Sequence, residues 1–310
     1  MRKAFRRQTV VHICLLMVSL AGLLATGILG QDAGEKPKRQ LRLGYSGTTI
    51  SKVDVNDAKV AMKLWTEKFS SEEGSNFAAE VFIFNSVDEM KQAVVRGEID
   101  LVAMTTQEYL DLKNEIPLQP AYTAVVGTTQ FDRLVLATHR DSPIKSIADL
   151  KGKRLNLENY GSGELSTMWL DCLLLRQKLP PSATFLQEVK TFDKASPAVL
   201  PVFFQKVEAC IAREYSLSVL TELNPQIGKS LRIIEQSPLY QRGMVCFRQG
   251  FNKDWQDEIT RSAFRLHEST KGQQILTLFK IDRIIPFDAT ALASVQELMT
   301  EHRSLMSKKP

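Results

Sequence analysis

The sequence lacks the short motifs by which most enzyme and nucleotide-binding sites are recognised. No Gly-x-Ser-x-Gly elbow, phosphate-loop lysine motif or zinc-protease helix occurs in its 310 residues. Gly161-x-Gly163 lacks the third glycine of a dinucleotide fingerprint. The four histidines are scattered and show no metal-ligand spacing with cysteine. We therefore expect no catalytic residue, metal or cofactor. An enzyme remains an alternative, because residues distant in sequence can meet in the fold.

Cysteine is also scarce, with four residues in the chain. Cys14 lies inside an N-terminal apolar run, and no cysteine follows that run at the position of a lipoprotein anchor. Cys172, Cys210 and Cys246 are an odd number, so they cannot all pair with one another. Each lies in an apolar stretch, which favours buried free thiols. A disulfide between Cys172 and Cys210 stays open as an alternative.

The balance of charge gives no support for a nucleic-acid partner. The formal net charge is +5, and four basic residues lie among the first seven, in a segment over 1–30 without any acidic residue. The remaining chain is therefore close to neutral. It also has no basic stripe interleaved with aromatic residues, which is the pattern typical of nucleic-acid binding. We expect no nucleic-acid partner.

The N-terminal segment has the composition of an export signal. Its basic residues precede an apolar run over 10–29 that ends in small residues. We predict a signal peptide over 1–30, cleaved after Gly27 or Gly30, and a flexible polar leader over 31–40. The predicted location is periplasmic. An uncleaved membrane anchor is the alternative, since about 20 apolar residues are enough to span a bilayer.

Strand and helix patterns alternate through the remaining chain. Runs such as 99–104 and 207–212 are apolar and strand-like, and each leads into a polar turn. This alternation predicts an α/β fold with parallel sheets and crossover helices. About 280 residues exceed a single typical core, so we predict two α/β lobes joined by two crossover strands around a ligand cleft. The predicted lobes are 41–129 plus 240–310, and 130–239.

Four polar loops follow predicted strands, at 46–49, 105–106, 162–167 and 213–216. Ligands of open α/β sheets bind beyond the carboxyl ends of the strands, and free N–H groups at a helix start attract anions. These loops therefore predict capture of a small anion or polar solute, with helix capping as the alternative role of each hydroxyl. The predicted ligand-binding residues are Tyr45, Ser46, Thr48, Thr49, Thr105, Thr106, Ser162, Ser166, Thr167, Glu214 and Tyr215.

Six segments of the chain share the sequence pattern of a known family. They are LGYS at 43–46, VVRGEIDLV at 94–102, SIADLKGKR at 146–154, GSG at 161–163, VEAC at 207–210 and LFKID at 278–282. They resemble type 2 periplasmic solute-binding proteins, most closely the phosphate, phosphite and phosphonate subfamily of ABC transporters. The resemblance implies a two-lobed periplasmic-binding-protein-like fold. It also implies a monomeric receptor that captures a small oxyanion for a membrane permease.

Charged residues near the loops modify this expectation. Arg133 and Arg213 are candidates for a positive charge beside an anion. Glu164 and Glu214 depart from the pattern of an anion site, because either would repel an anion if it faced inward. Glu214 would instead pair with an amino group on the ligand. A membrane sensor in place of the permease is the alternative partner, and the protein would then be a ligand sensor.

Overall fold

The computed structural model describes residues 39–47, 55–73, 77–159 and 164–307. Within these ranges the chain forms two large β-sheets, a short two-stranded sheet and flanking helices. None of the helices in these ranges is long and apolar enough to cross a membrane.

The strands and helices alternate along most of the described chain. The strands are β1 (Arg39–Ser46), β2 (Phe77–Phe84), β3 (Leu101–Thr105), β4 (Leu118–Val125), β5 (Phe131–Asp132), β6 (Leu134–His139), β7 (Arg154–Glu158), β8 (Glu188–Phe192), β9 (Ala209–Arg213), β10 (Leu231–Gln236), β11 (Tyr240–Gln241), β12 (Gly243–Arg248) and β13 (Arg283–Pro286). The α-helices are α1 (Val55–Glu73), α2 (Val87–Val95), α3 (Thr106–Leu112), α4 (Leu165–Arg176), α5 (Ser182–Phe185), α6 (Ala195–Phe203), α7 (Glu214–Leu223), α8 (Pro225–Ser230), α9 (Lys253–Arg265), α10 (Thr270–Leu278) and α11 (Ala293–Ser307). Short 3-10 helices cover Ile147–Leu150, Leu266–Glu268 and Ala289–Leu292.

Both large sheets are mixed. The first has six strands in the order β13-β4-β12-β3-β1-β2, and the second has five in the order β10-β6-β9-β7-β8. Strands β1, β2 and β3 are parallel, as are β7, β8 and β9. The remaining strands add antiparallel pairs. The α/β prediction is confirmed, and the expectation of parallel sheets holds only for these two groups of three strands.

The antiparallel pairs have a simple cause in the path of the chain. Gly243 at the start of β12 lies opposite Thr105 at the end of β3, and Leu134 at the start of β6 lies opposite Arg213 at the end of β9. Each strand therefore enters its sheet from the edge where the parallel strands end. A chain that arrives from the other sheet at that edge must run antiparallel to its new neighbour.

The chain passes between the two large sheets twice. Strand β4 leads through β5 to β6, and β10 leads through β11 to β12. The crossing strands β5 and β11 pair with each other, so that Tyr240 lies opposite Asp132 and Gln241 lies opposite Phe131. Helix α11 packs against α4, where Arg176 Nε and Nη2 donate to Glu301 at 2.7 and 2.6 Å. The residue boundaries of the two lobes stay a prediction.

The sequence pattern predicts one helix over 253–270, and the structure divides this segment. Helix α9 ends at Arg265, and α10 begins after Ser269, whose hydroxyl accepts a hydrogen bond from Gly272 N at 3.2 Å. Gly272 lies so close to the carbonyl of Leu266 that a Cβ atom there would clash. This close approach turns α10 away from α9 and allows it to pack beside α1.

The apolar core lies between the sheets and their helices. Trp169 and Leu170 of α4 are fully buried in the cluster that packs on the second sheet. Leu101 of β3 and Phe247 of β12 are buried in the cluster between the first sheet and α1, α9 and α10. Because helices cover these apolar faces of the sheets, the polar ends of the strands are the surface available to a ligand.

Each large sheet contains an ion pair that joins the start of a central strand to its parallel neighbour. In the first sheet, Arg42 Nε and Nη2 donate to Asp100 at 2.9 and 2.7 Å, and Arg42 N donates to the same carboxylate at 3.1 Å. In the second sheet, Arg154 Nε and Nη2 donate to Glu208 at 3.1 and 2.9 Å. Asp100 precedes β3 and Glu208 precedes β9, so each carboxylate fixes the register of a central strand.

We predict that Asp100→Ala lowers the free energy of unfolding by about 2–3 kcal/mol, because Asp100 is buried and Arg42 would lose its hydrogen-bonding partner. Urea denaturation measures the change. The matched control is Glu98→Ala, since Glu98 pairs with Arg96 at the exposed surface. Equal stability of Asp100→Ala and the parent protein would contradict the structural role of this ion pair.

Candidate ligand-binding site

A cavity of about 1240 Å³ lies where the crossing strands pass between the two large sheets. Tyr45 and Thr105 line it near the ends of β1 and β3, and Arg213 lines it at the end of β9. Asp132 and Gln241 line it from the crossing strands. The cavity therefore lies at the carboxyl ends of parallel strands from both sheets, which is where open α/β sheets bind their ligands.

The charges that line this cavity are mainly positive. Among the described residues, five basic side chains and one acidic side chain contribute to its lining. They are Arg133, Lys194, Arg213, Arg242, Lys280 and Asp132. A cleft lined by an excess of one sign attracts ligands of the opposite sign. The electrostatics of the cavity thus favour an anion.

Arg213 is held in one orientation by buried groups. Glu158 at the end of β7 is 0% exposed, and its carboxylate accepts a hydrogen bond from Arg213 N at 3.0 Å and lies 3.3 Å from Arg213 Nη2. Ser216 Oγ donates to the same carboxylate at 2.7 Å and accepts from Arg213 Nη2 at 2.9 Å. Asp132 Oδ2 lies 3.5 Å from Arg213 Nη1. The charge of this guanidinium is therefore largely matched by the protein itself.

Arg242 is less completely satisfied. Its Nε atom is buried and makes no hydrogen bond to the described residues, although Asp132 Oδ2 lies 3.6 Å away. The guanidinium lies 5.9 Å from the centre of the Tyr215 ring. Burial lowers the pKa of Arg242, and the Asp132 carboxylate opposes that shift. Because arginine stays protonated, a ligand anion would relieve the cost of burying this charge.

Four of the predicted hydroxyl groups are buried and bonded to the protein. Ser46 Oγ donates to Glu108 Oε1 at 2.7 Å, Thr106 Oγ1 to Gln241 O at 2.8 Å, and Ser166 Oγ to Glu158 O at 2.9 Å. Thr105 caps α3 by accepting a hydrogen bond from Glu108 N at 3.2 Å. Of these four residues, Thr105 also lines the cavity.

The two predicted tyrosines both line the cavity. The Tyr45 ring stacks on Phe279 with centroids 6.0 Å apart, and its hydroxyl donates to Met62 Sδ at 3.4 Å. Burial raises the pKa of Tyr45, so its hydroxyl stays protonated at neutral pH. Tyr215 is 42% exposed at the start of α7. The structure therefore places one tyrosine inside the cavity and the other at its rim.

Of the remaining predicted residues, two lie in the first turn of a helix and three lie outside the described residues. Thr167 is half-buried in the first turn of α4, and Glu214 is exposed, with its carboxylate 3.3 Å from Arg133 Nε. Glu164 is also exposed. Thr48, Thr49 and Ser162 lie outside the described residues. Arg133 therefore balances the negative charge of Glu214, the acidic residue that departs from the pattern of an anion site.

Sequence reasoning missed several polar residues that line the cavity, among them Asp132, Lys194, Gln241 and Arg242. Lys194 precedes α6, and strand β8 before it was too polar to be recognised as a strand. Gln241 and Arg242 follow the Ser-Pro turn at 237–238, which the sequence indicates only as a connection. The position of Arg242 directly after this connection is the sequence signal that could have identified it as a site residue.

Cys172, Cys210 and Cys246 are buried free thiols, so the expectation of free thiols is confirmed and the alternative disulfide is not formed. Burial raises the pKa of Cys172 and Cys210 to about 12 and raises that of Cys246 as well. Within the described part of the chain, no group of three or more potential ligands is arranged to hold a metal ion.

Two large sheets with flanking helices, two crossing strands and a cavity at the strand ends form the type 2 periplasmic solute-binding fold. The chain belongs to the family of ABC transporter periplasmic phosphonate substrate-binding proteins, whose family model matches residues 49–292. Membership implies an extracytoplasmic location, a small solute and a permease partner. It places the chain among transport proteins and not in an enzyme family. No curated protein matches the sequence.

Solved structures share the fold at low sequence identity. XAC2383 from Xanthomonas citri bound to ATP has a TM-score of 0.65 and 18% identity, covering 87% of this chain and 99% of that one. A binding protein component of an ABC phosphonate transporter from Pseudomonas aeruginosa, PA3383, has a TM-score of 0.62 and 14% identity, covering 87% and 88%. PhnD1 from Prochlorococcus marinus in complex with methylphosphonate has a TM-score of 0.60 and 14% identity, covering 85% and 98%.

Proposed function

We propose that this protein captures a small phosphorus oxyanion, such as phosphate, phosphite or a phosphonate, and delivers it to the permease of an ABC transporter. The observation that carries the proposal is the excess of basic side chains in the cavity between the two large sheets. The phosphonate family model and the methylphosphonate complex of PhnD1 support the same class of ligand. An oxyanion can accept several charge-assisted hydrogen bonds at once, which matches a cavity with several cations.

The side chains proposed to bind the oxyanion directly are Arg242 and Lys194. Arg242 lines the cavity with a side chain that is 20% exposed, and Lys194 lines it from an exposed position at the start of α6. Arg213 is already bonded to Glu158 and Ser216, so its proposed role is to add positive potential. Tyr45, Thr105 and Tyr215 are proposed walls of the site. Ser162, Thr48 and Thr49 stay predicted contacts.

Isothermal titration tests the ligand class and the role of Arg242. We expect at least one of phosphate, phosphite, methylphosphonate and aminoethylphosphonate to bind with a Kd below 1 mM. Arg242→Met should weaken that binding roughly 10- to 100-fold, because a hydrogen bond to a charged group is lost in a buried site. The control Arg96→Met removes an exposed arginine that pairs with Glu98 outside the cavity. No binding of any of the four anions would reject the proposed function.

Binding is expected to close the two proposed lobes on each other. The two cations proposed to bind the anion come from opposite sides, since Lys194 lies between β8 and β9 of the second sheet and Arg242 leads into β12 of the first. An anion held by both sides stabilises the closed state by its differential affinity. Small-angle X-ray scattering should show a smaller radius of gyration with saturating ligand. An unchanged radius of gyration would mean that binding occurs without closure.

Export through the N-terminal signal accounts for the extracytoplasmic location that the family implies. The segment over 1–30 has the basic and apolar parts of a signal peptide. We predict that the exported protein begins between Ile28 and Leu41. N-terminal sequencing of the periplasmic fraction measures this position. Recovery of the intact chain from Met1, and only from membranes, would support the uncleaved anchor instead.

A further inference from the structure

The cavity extends beyond the basic cluster into an apolar region of the first sheet. Leu43, Leu101 and Ala124 line this region from the sheet, and Met62, Ile275 and Phe279 line it from α1 and from the end of α10. These six residues define what we call the tail chamber. Its side chains carry no charge. Of the cations named above, Arg133, Lys194, Arg213 and Arg242 lie at the crossing strands and in the second sheet, whereas Lys280 follows Phe279 at the end of α10.

The tail chamber lies deep in the protein. Leu101 and Ile275 are each 1% exposed, yet both line the cavity. The phenol of Tyr45 is bonded there to the sulfur of Met62, which is a weak acceptor. The chamber is thus an apolar space inside the first sheet's core and not a part of the outer surface.

The local sequence explains why this space exists. Strand β3 presents Leu101, Ala103 and Thr105 on one face, because alternate residues of a strand point the same way. The small side chain of Ala103, with that of Ala124 on β4, leaves room beneath α1 and α10. From Leu101 to Thr105 this face spans about 13 Å. It changes from apolar to polar in the direction of the basic cluster.

A bare oxyanion would fill little of this space. An apolar cavity without contents forfeits packing energy, and an apolar group that enters it restores that energy. The whole cavity of about 1240 Å³ also exceeds the roughly 300–1000 Å³ typical of sites for drug-sized ligands. Part of that volume belongs to the cleft between the sheets. The chamber itself is defined by its apolar lining and its burial.

The opposite wall of the cleft is apolar as well. Tyr215, Val219 and Leu223 of α7 line the same cavity from the second sheet's side. Leu223 is 79% exposed, which is unusual for a large apolar side chain beside a charged site. An apolar ligand group in the cleft would cover this face of α7 when the lobes close.

We propose that the ligand is an organophosphorus anion with a single extended apolar chain, an alkyl phosphonate or an alkyl phosphate monoester. Its head group binds at Arg242 and Lys194, and its chain enters the tail chamber past Tyr45 and Thr105. This inference rests on the proposed function, which supplies the head group. It adds a second determinant of specificity, the length of the chain.

Titration calorimetry with methyl-, butyl- and octylphosphonate, and with octyl phosphate, tests the proposal. We expect the affinity to rise roughly fourfold for each added methylene until the chamber is filled. The heat capacity of binding should become more negative along the series, since more apolar surface is buried. Chain-length dependence in the phosphonate series supports the proposal, and the tighter of octylphosphonate and octyl phosphate identifies the preferred head group.

Two variants fill the tail chamber from the sheet side. Ala124→Leu and Ala103→Leu should each remove the dependence on chain length and leave the affinity for methylphosphonate within about twofold of the parent protein. The matched control is Ala121→Leu, which lies on the same strand as Ala124 and does not line the cavity. Circular dichroism shows whether each variant folds, and a single folded chamber variant is sufficient for the test.

The outcomes separate this inference from the proposed function. Equal or weaker binding of octylphosphonate compared with methylphosphonate would overturn the tail chamber and leave the oxyanion receptor intact. Binding of octyltrimethylammonium as tight as that of octylphosphonate would overturn the oxyanion head group and support the chamber. Retained chain-length dependence in both folded chamber variants would show that the chain lies elsewhere.

Discussion

In the crossing strand β5, the Asp132 carboxylate lies 3.5 Å from Arg213 Nη1 and 3.6 Å from Arg242 Nε. Arg213 is the last residue of β9 in the second sheet, and Arg242 directly precedes β12 in the first. The Asp132 carboxylate therefore links cations from both sides of the cleft. Like charges at such short range repel each other strongly in a partly buried site. Asp132 makes their proximity tolerable, and the pairing of β5 with β11 holds it between them. The charge pattern of the site therefore depends on the two shortest strands in the structure.

Ion pairs between a carboxylate and an arginine also position the strands behind the site in both sheets. Asp100 and Glu208 each precede a central strand, and each accepts a bidentate hydrogen bond from an arginine on the parallel neighbour. A bidentate pair fixes direction as well as distance, which sets the register of the neighbouring strands. The segments at 94–102 and 207–210, which carry part of the family resemblance, contain the acidic members of these two register-fixing pairs. In this protein these two carboxylates therefore position the strands of the scaffold.

The sequence predicted the α/β alternation from local apolar patterns. The crossings and a site at the strand ends were then predicted from this alternation and from the length of the chain. The sequence did not predict the mixed direction of the sheets or the break before Thr270, since both depend on contacts between distant segments. Hydroxyl residues at strand ends were the natural candidates for an anion site. In the structure, Ser46, Thr106 and Ser166 bond to the protein, whereas Arg242 and Lys194 line the cavity. Which strand-end residue faces a cleft depends on the packing of both sheets, and periodicity in one strand does not contain that information.

The three unpaired thiols in the described part of the chain have a consequence for its chemistry in the extracytoplasmic location that the family implies. Extracytoplasmic compartments favour disulfide formation, and the reactive species in that exchange is the thiolate. Burial raises the pKa of Cys172, Cys210 and Cys246, so the folded protein presents almost no thiolate to an oxidant. Burial in the packed core therefore protects these thiols from oxidation. Before the core has folded, the thiols are exposed and mispaired disulfides can form. Faster folding therefore leaves a larger fraction of the chain unoxidised.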